Sequence, residues 1–134
     1  MTNKEVLDEV AQVVEWYNQT PESFKDCNTL IHKRKVLATM SFHLAPITAL
    51  ADKYYLQCQN ETKRIKAQVK HQAKGTGVQK EAAMRMNEAV LEAEREEGEA
   101  LYQKVSSRRH WEALKEVLSA MNSHIGRLKQ TPDL

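Results

Sequence analysis

The sequence predicts an all-α protein: a long antiparallel helical hairpin with a coiled-coil-like seam, an N-terminal helix and a short C-terminal amphipathic helix. Three features predict this. Four glycines and three prolines in 134 residues are too few for many short strands and their turns. Leu30, Leu37, Leu44, Ala51, Cys58 and Ile65 recur every seven residues, with Met40, Ile47 and Tyr54 on the adjoining row. A repeat held that long lays one narrow apolar stripe along a helix. Finally, charge reverses about Gly75-Thr76-Gly77. Residues 62–80 hold Lys63, Arg64, Lys66, Lys70, Lys74 and Lys80 with no Asp or Glu. Glu81, Glu88, Glu92, Glu94, Glu96, Glu97 and Glu99 follow, against only Arg85 and Arg95. Glycine reaches the left-handed conformation without a Cβ penalty, so the turn suits a helix stop. Folded back there, the arms run antiparallel with opposite charge along their rims.

At 134 residues the chain reads as a single helical domain over 1–134. The N-terminal helix spans 3–18. Thr2 and Glu5 form a capping box, and Val6, Leu7, Val10, Val13, Val14 and Tyr17 recur at helical spacing. Thr20 suits an N-cap and Pro21 a first helical residue, which opens a long helix over 21–74. Pro46 removes a backbone hydrogen bond and predicts a kink or break near 42–46. The return arm, 78–105, carries a seam of Ala82, Met86, Ala89 or Val90, Ala93, Ala100, Leu101 and Val105. Ser106-Ser107 offers a cap for a C-terminal helix over 107–129. Its stripe of Trp111, Leu114, Leu118, Met121, Ile125 and Leu128 is the cleanest in the chain. Residues 130–134 read as a frayed end.

A net charge of +2 with 28% charged residues does not itself demand a nucleic-acid partner; only the segregation of charge points to one. Cys27 and Cys58 form no CxxC and have no metal-ligand company. This leaves a disulfide open but fits an ordinary reduced intracellular protein better. The N-terminus lacks the apolar stretch of a signal peptide, and no run of about 18 apolar residues spans a membrane. A cytoplasmic location is the default expectation.

Little here suits an enzyme. His32, His43, His71, His110 and His124 are scattered, with no HExxH, no GxGxxG, no phosphate loop and no nucleophile elbow. Glu96 and Glu97 are adjacent and point in different directions on a helix. No metal or cofactor is expected. Binding is the better prospect. Lys63, Lys66, Lys70 and Lys74, three or four residues apart, share one helix face. Such a row is either solvated or paired with the acidic arm, or it tracks a phosphate backbone without sequence preference. Tyr54 and Tyr55 are candidates to stack bases, although Tyr54 also falls on the seam. Arg108 and Arg109, beside His110 and Trp111, form a second basic cluster. The Trp111–Leu128 stripe either packs within the chain, onto the N-terminal helix and the Pro46 segment, or joins subunits.

With hairpin and terminal helix in view, the chain resembles the UvsY family of phage recombination mediator proteins. Before the glycine turn, Ile65-Lys66-Ala67-Gln68-Val69 is similar to the family's Leu-Lys-Ala-Arg-Leu segment, which is implicated in single-stranded DNA binding. Trp111-Glu112-Ala113-Leu114, Glu116-Val117, Ser119-Ala120 and Ile125 resemble its terminal helix in residue type and spacing. The likeness covers roughly residues 30–128; Pro46 and the helix at 3–18 have no counterpart in it. Lys66 matches the DNA-contacting lysine. Gln68 stands in place of the arginine, so Lys63, Arg64, Lys70 and Lys74 would have to supply the charge.

The resemblance implies a non-catalytic, ring-like homo-oligomer in the cytoplasm of a bacterial host. It would wrap single-stranded DNA and help a RecA-like recombinase displace single-strand-binding protein. The expected contact row is Lys63, Arg64, Lys66, Lys70 and Lys74, with Trp111, Leu114, Leu118, Met121, Ile125 and Leu128 as core or subunit interface. The alternative is a helical protein–protein interaction module (an assembly chaperone, adaptor or inhibitor) that binds no nucleic acid.

Overall fold

The computed structural model describes residues 1–130, and all the regular structure in them is helical, as the composition predicts. Helix α1 spans Asn3–Gln19 and opens on the predicted capping box. The Glu5 amide donates to Thr2 Oγ1 and the Thr2 amide to Glu5 Oε2, each at 3.2 Å. Thr20 belongs to the end of this helix, because its amide donates to the Trp16 carbonyl at 2.9 Å. That corrects the expected start at Thr20-Pro21. Pro21 is extended, a single 3-10 turn covers Glu22–Phe24, and the long helix α2 runs over Cys27–Gln72. Its cap is Asp26, whose Oδ1 accepts from the Thr29 amide at 2.7 Å.

Pro46 lies inside α2 without ending it. Both Pro46 and Phe42, four residues before it, are exposed. Solvent is therefore free to satisfy the Phe42 carbonyl that proline cannot bond. Beyond the turn, α3 covers Gly77–Met86 and α4 covers Glu88–Gln130. The return arm is thus broken at Asn87, and no break occurs at Ser106-Ser107, contrary to the expected boundaries. Asn87 is extended, and its Oδ1 caps α4 by accepting from the amides of Ala89 (2.9 Å) and Val90 (3.3 Å). Ser107 is buried on the packed face of α4, where a small side chain fits. The frayed end expected beyond Gln130 lies outside the described residues.

The chain divides into two compact units, and both long helices pass through each. The first joins Met1–Thr48 to the chain from Ser106 onward. Here α1, the start of α2 and the end of α4 enclose a core of Val6, Val10, Val13, Leu30, Leu37, Met40, Leu44, Leu114, Val117, Met121 and Ile125. Fully burying each such side chain contributes about 1.5–3 kcal/mol. The Arg34 guanidinium donates to Asn122 Oδ1 at 3.1 Å across α2 and α4.

The second unit, Ala49–Val105, holds the rest of α2, α3 and the start of α4. Its buried side chains are small or few: Cys58, Thr62, Met84, Val90, Ala93 and Ala100. The Thr62 hydroxyl bonds the Cys58 carbonyl at 2.9 Å and lies 3.3 Å from that of Ala93. Lys104 lies over the Tyr55 ring at 4.9 Å, so α2 and α4 run antiparallel.

The seven-residue seam is buried at Leu30, Leu37, Leu44 and Cys58, but Tyr54, expected on it, is exposed. On the return arm Ala82, Met86, Ala89, Leu101 and Val105 are also exposed, and Met84 is buried in place of Met86. The extended Asn87 resets the helical phase, so one stripe cannot run through both α3 and α4.

Candidate functional site

Lys63, Lys66 and Lys70 lie on α2 within the second unit. That helix ends at Gln72, so Lys74, expected as its last residue, lies in the turn, and the structure divides the members of the row. Lys63 and Lys74 are exposed and make no ion pair among the described residues. Lys66 Nζ reaches Glu94 Oε1 on α4 at 3.1 Å. Lys70 pairs with Glu81 on α3, and its ammonium holds the Glu81 carboxyl below the usual carboxylate range. Arg64 turns away to its own helix. Its Nη2 and Nε bond both oxygens of Glu61 at 2.6 and 3.0 Å, which lowers the Glu61 pKa and raises that of the guanidinium.

The basic and acidic arms therefore do pair across the hairpin, at two points. All of these pairs are substantially exposed, so solvent screens them and the side chains exchange partners at little cost. The surface presents four ammonium groups, three on α2 and Lys74 in the turn beyond it, two free and two loosely held.

The remaining candidates fall elsewhere. Tyr55 is half-buried beneath Lys104. Arg109 and His110 belong to the first unit, where they line a surface groove with Val10, Val14, Asn18 and Ala113. The His110 ring bonds the Ser106 carbonyl at 2.7 Å through Nδ1. Of the terminal stripe, Leu114, Met121 and Ile125 are fully buried in the core of the same chain. Trp111 and Leu118 pack at its margin, and Leu128 is 38% exposed. Val117 and His124 complete the buried face of α4. His124 presents Nε2 to Glu22 at 3.9 Å, and its Nδ1 has no hydrogen-bond partner among the described residues.

Spacing did not reveal a groove on another face of the second unit. It lies between α2 and α4, with Tyr54, Cys58, Ile65, Ala89 and Ala93 as its apolar wall and Glu61, Glu92 and Glu96 at its edges. The exposure of Tyr54 follows from its place there. Among the described residues no group of three or more His, Cys, Asp or Glu is arranged to hold a metal ion. Nor is any helix among them long and apolar enough to cross a membrane. No protein-family model, curated protein or solved structure matches the chain.

Proposed function

We propose that this protein is a non-catalytic, oligomeric single-stranded-DNA-binding recombination mediator that assists loading of a RecA-like recombinase against single-strand-binding protein. The observation that carries the reading is the ammonium row of Lys63, Lys66 and Lys70 along α2, continued by Lys74 in the turn just past the end of that helix. Lys63 and Lys74 stand free, and exposed pairs hold the other two. Lys63, Lys66 and Lys70 follow one another about 4.5–6 Å apart along the helix, which makes them a line of cations that a phosphate backbone can follow. Arg64, turned to Glu61, has to leave that carboxylate before it joins the row. The likeness of residues 65–69 to the mediator segment supports the same assignment. A few cations per chain make a weak site, and repetition in a homo-oligomer raises affinity through multivalency.

One observation favours a second reading, a protein-interaction module without nucleic-acid binding: Lys66 and Lys70 already have carboxylate partners in the hairpin. Fluorescence anisotropy of a labelled single-stranded oligonucleotide, with light scattering on the same samples, separates the two. The mediator reading requires salt-sensitive binding by a large assembly. It also requires loss of binding in Lys63→Glu/Lys74→Glu, with helicity and size unchanged. Absence of binding at about 50 mM salt, where phosphate contacts are strong, leaves the interaction module.

A further inference from the structure

We propose that the groove between α2 and α4 in the second unit docks an amphipathic helix of a partner protein, apolar along one stripe and basic on its flanks. The proposal goes beyond the DNA reading and does not depend on it.

The shape argues for a helix. Tyr54, Cys58, Glu61 and Ile65 line one side at spacings of three and four, so the groove follows α2 for about three turns, roughly 17 Å. Its volume is about 500 Å³. Ala89 and Ala93 carry only a methyl group each, which lets a third helix approach to the 8–10 Å or so of ordinary helix packing.

The packing argues for a missing layer. In the first unit the α2/α4 pair is completed by α1, and its large apolar side chains are fully buried. Among the described residues only α2 and α4 line the groove, and α3 contributes no side chain to it. Ile65 is left half-exposed and Tyr54 45% exposed at the groove surface. Such a groove holds a helix through anchors at i, i+3, i+4 and i+7.

Charge decides the occupant. Three carboxylates line the groove and no Lys or Arg does. Arg64 binds Glu61, and Arg95 binds Glu92 and Glu99, whereas Glu96 makes no ion pair among the described residues. The field there is negative. The hydrogen bond to Cys58 is the main cause of a raised Tyr54 hydroxyl pKa, and the Glu96 and Glu99 carboxylates add a smaller push in the same direction. Such a rim repels nucleic acid and acidic helices and attracts lysine or arginine on the flanks of an apolar stripe.

The test uses a fluorescein-labelled 18-residue helical peptide with a leucine stripe flanked by lysines, and a second version flanked by glutamates. Anisotropy is measured against the full chain and against Ala89→Trp and Glu96→Lys, with circular dichroism confirming that both variants stay helical. Saturable binding of the lysine peptide is expected, at least tenfold weaker on either variant, with no binding of the glutamate peptide. Ala89→Trp fills the groove without changing charge, so equal binding to that variant reduces the effect to general attraction and overturns the proposal. No saturation below about 1 mM overturns it too. If light scattering shows a dimer in the absence of peptide that Glu96→Lys dissociates, the occupant is a second copy and the partner assignment fails. Oligonucleotide binding, measured on the same variants, reports separately on the lysine row.

Discussion

Replacing Glu81 and Glu94 with glutamine removes the carboxylates that hold Lys70 and Lys66 and leaves both ammonium groups free beside Lys63 and Lys74. In the native chain a lysine that moves to a phosphate re-exposes a carboxylate, which takes up a cation from solution. That uptake cancels the counterion released from the nucleic acid, so only Lys63 and Lys74 contribute fully to the salt dependence. Two such contacts give a slope of log K against log salt of about −1.4 per chain on a single strand, and four give about −2.8. Between 50 and 200 mM salt the native chain should then lose about 7-fold in affinity and Glu81→Gln/Glu94→Gln about 50-fold. The variant should also bind more tightly at the lowest salt. An anisotropy titration at five salt concentrations measures both slopes. Their ratio of about two holds for any subunit number, because every subunit carries the same substitutions. A native slope already near the steeper value, or two equal slopes, would refute the reasoning.

Three further outcomes follow from the packing and the caps. Met121→Ala should cost about 2–5 kcal/mol in urea unfolding, because Met121 is wholly enclosed; Leu128→Ala, at a 38% exposed site, should cost under about 1 kcal/mol, and a larger, concentration-dependent cost would place Leu128 in a subunit interface. Gly75 has φ +113°, so Gly75→Ala should lower stability by about 1 kcal/mol or more, whereas Gly98→Ala, inside α4 with open space around its Cα, should raise it by about 0.5–1 kcal/mol. The Thr29 amide and hydroxyl hold the Asp26 carboxyl below its ordinary pKa of about 3.9. Its stabilising contribution is therefore complete above that value and is lost as pH falls through the lower folded one. Asp26→Asn, which keeps an acceptor at the cap, should flatten the dependence of Tm on pH between about 2 and 5.

The regular parts of the fold were legible because each rests on a local rule. Thr2 and Glu5 announce α1, and the seven-residue recurrence through Leu30, Leu37 and Leu44 marks a long helix. The pattern alone does not decide between a kink and a break at Pro46, which the structure places inside α2. The errors arose at element boundaries. Thr20-Pro21 looks like a helix start, but the Thr20 amide already closes α1, and α2 begins instead behind Asp26, which the sequence reading did not single out. Ser106-Ser107 looks like a break but continues as helix; the break forms at Asn87, inside the expected return arm, where its carboxamide caps α4. The lysine row was visible in the spacing, but its partners were not. Whether Lys66 meets Glu94 or solvent depends on the register of two distant segments, and no local pattern encodes that register. The groove was hidden for the same reason, since Ala89 and Ile65 face one another only once the hairpin has closed.

The first unit is interrupted in sequence by the whole of the second, which stands between Thr48 and Ser106. Leu37 and Leu114 cannot share one core until that intervening chain has brought its ends together. For an unstructured loop of such length, closure costs roughly 3–4 kcal/mol in chain entropy. If the hairpin forms first, contacts around Thr62 and Ala93 bear that cost and the α4 segment is delivered to the core as a near neighbour. The thinly packed half of the molecule would then set the folding rate of the well-packed half. Substitutions at Ala93 or Val90 would slow refolding of a core they never touch, and those at Met121 would mainly hasten its unfolding.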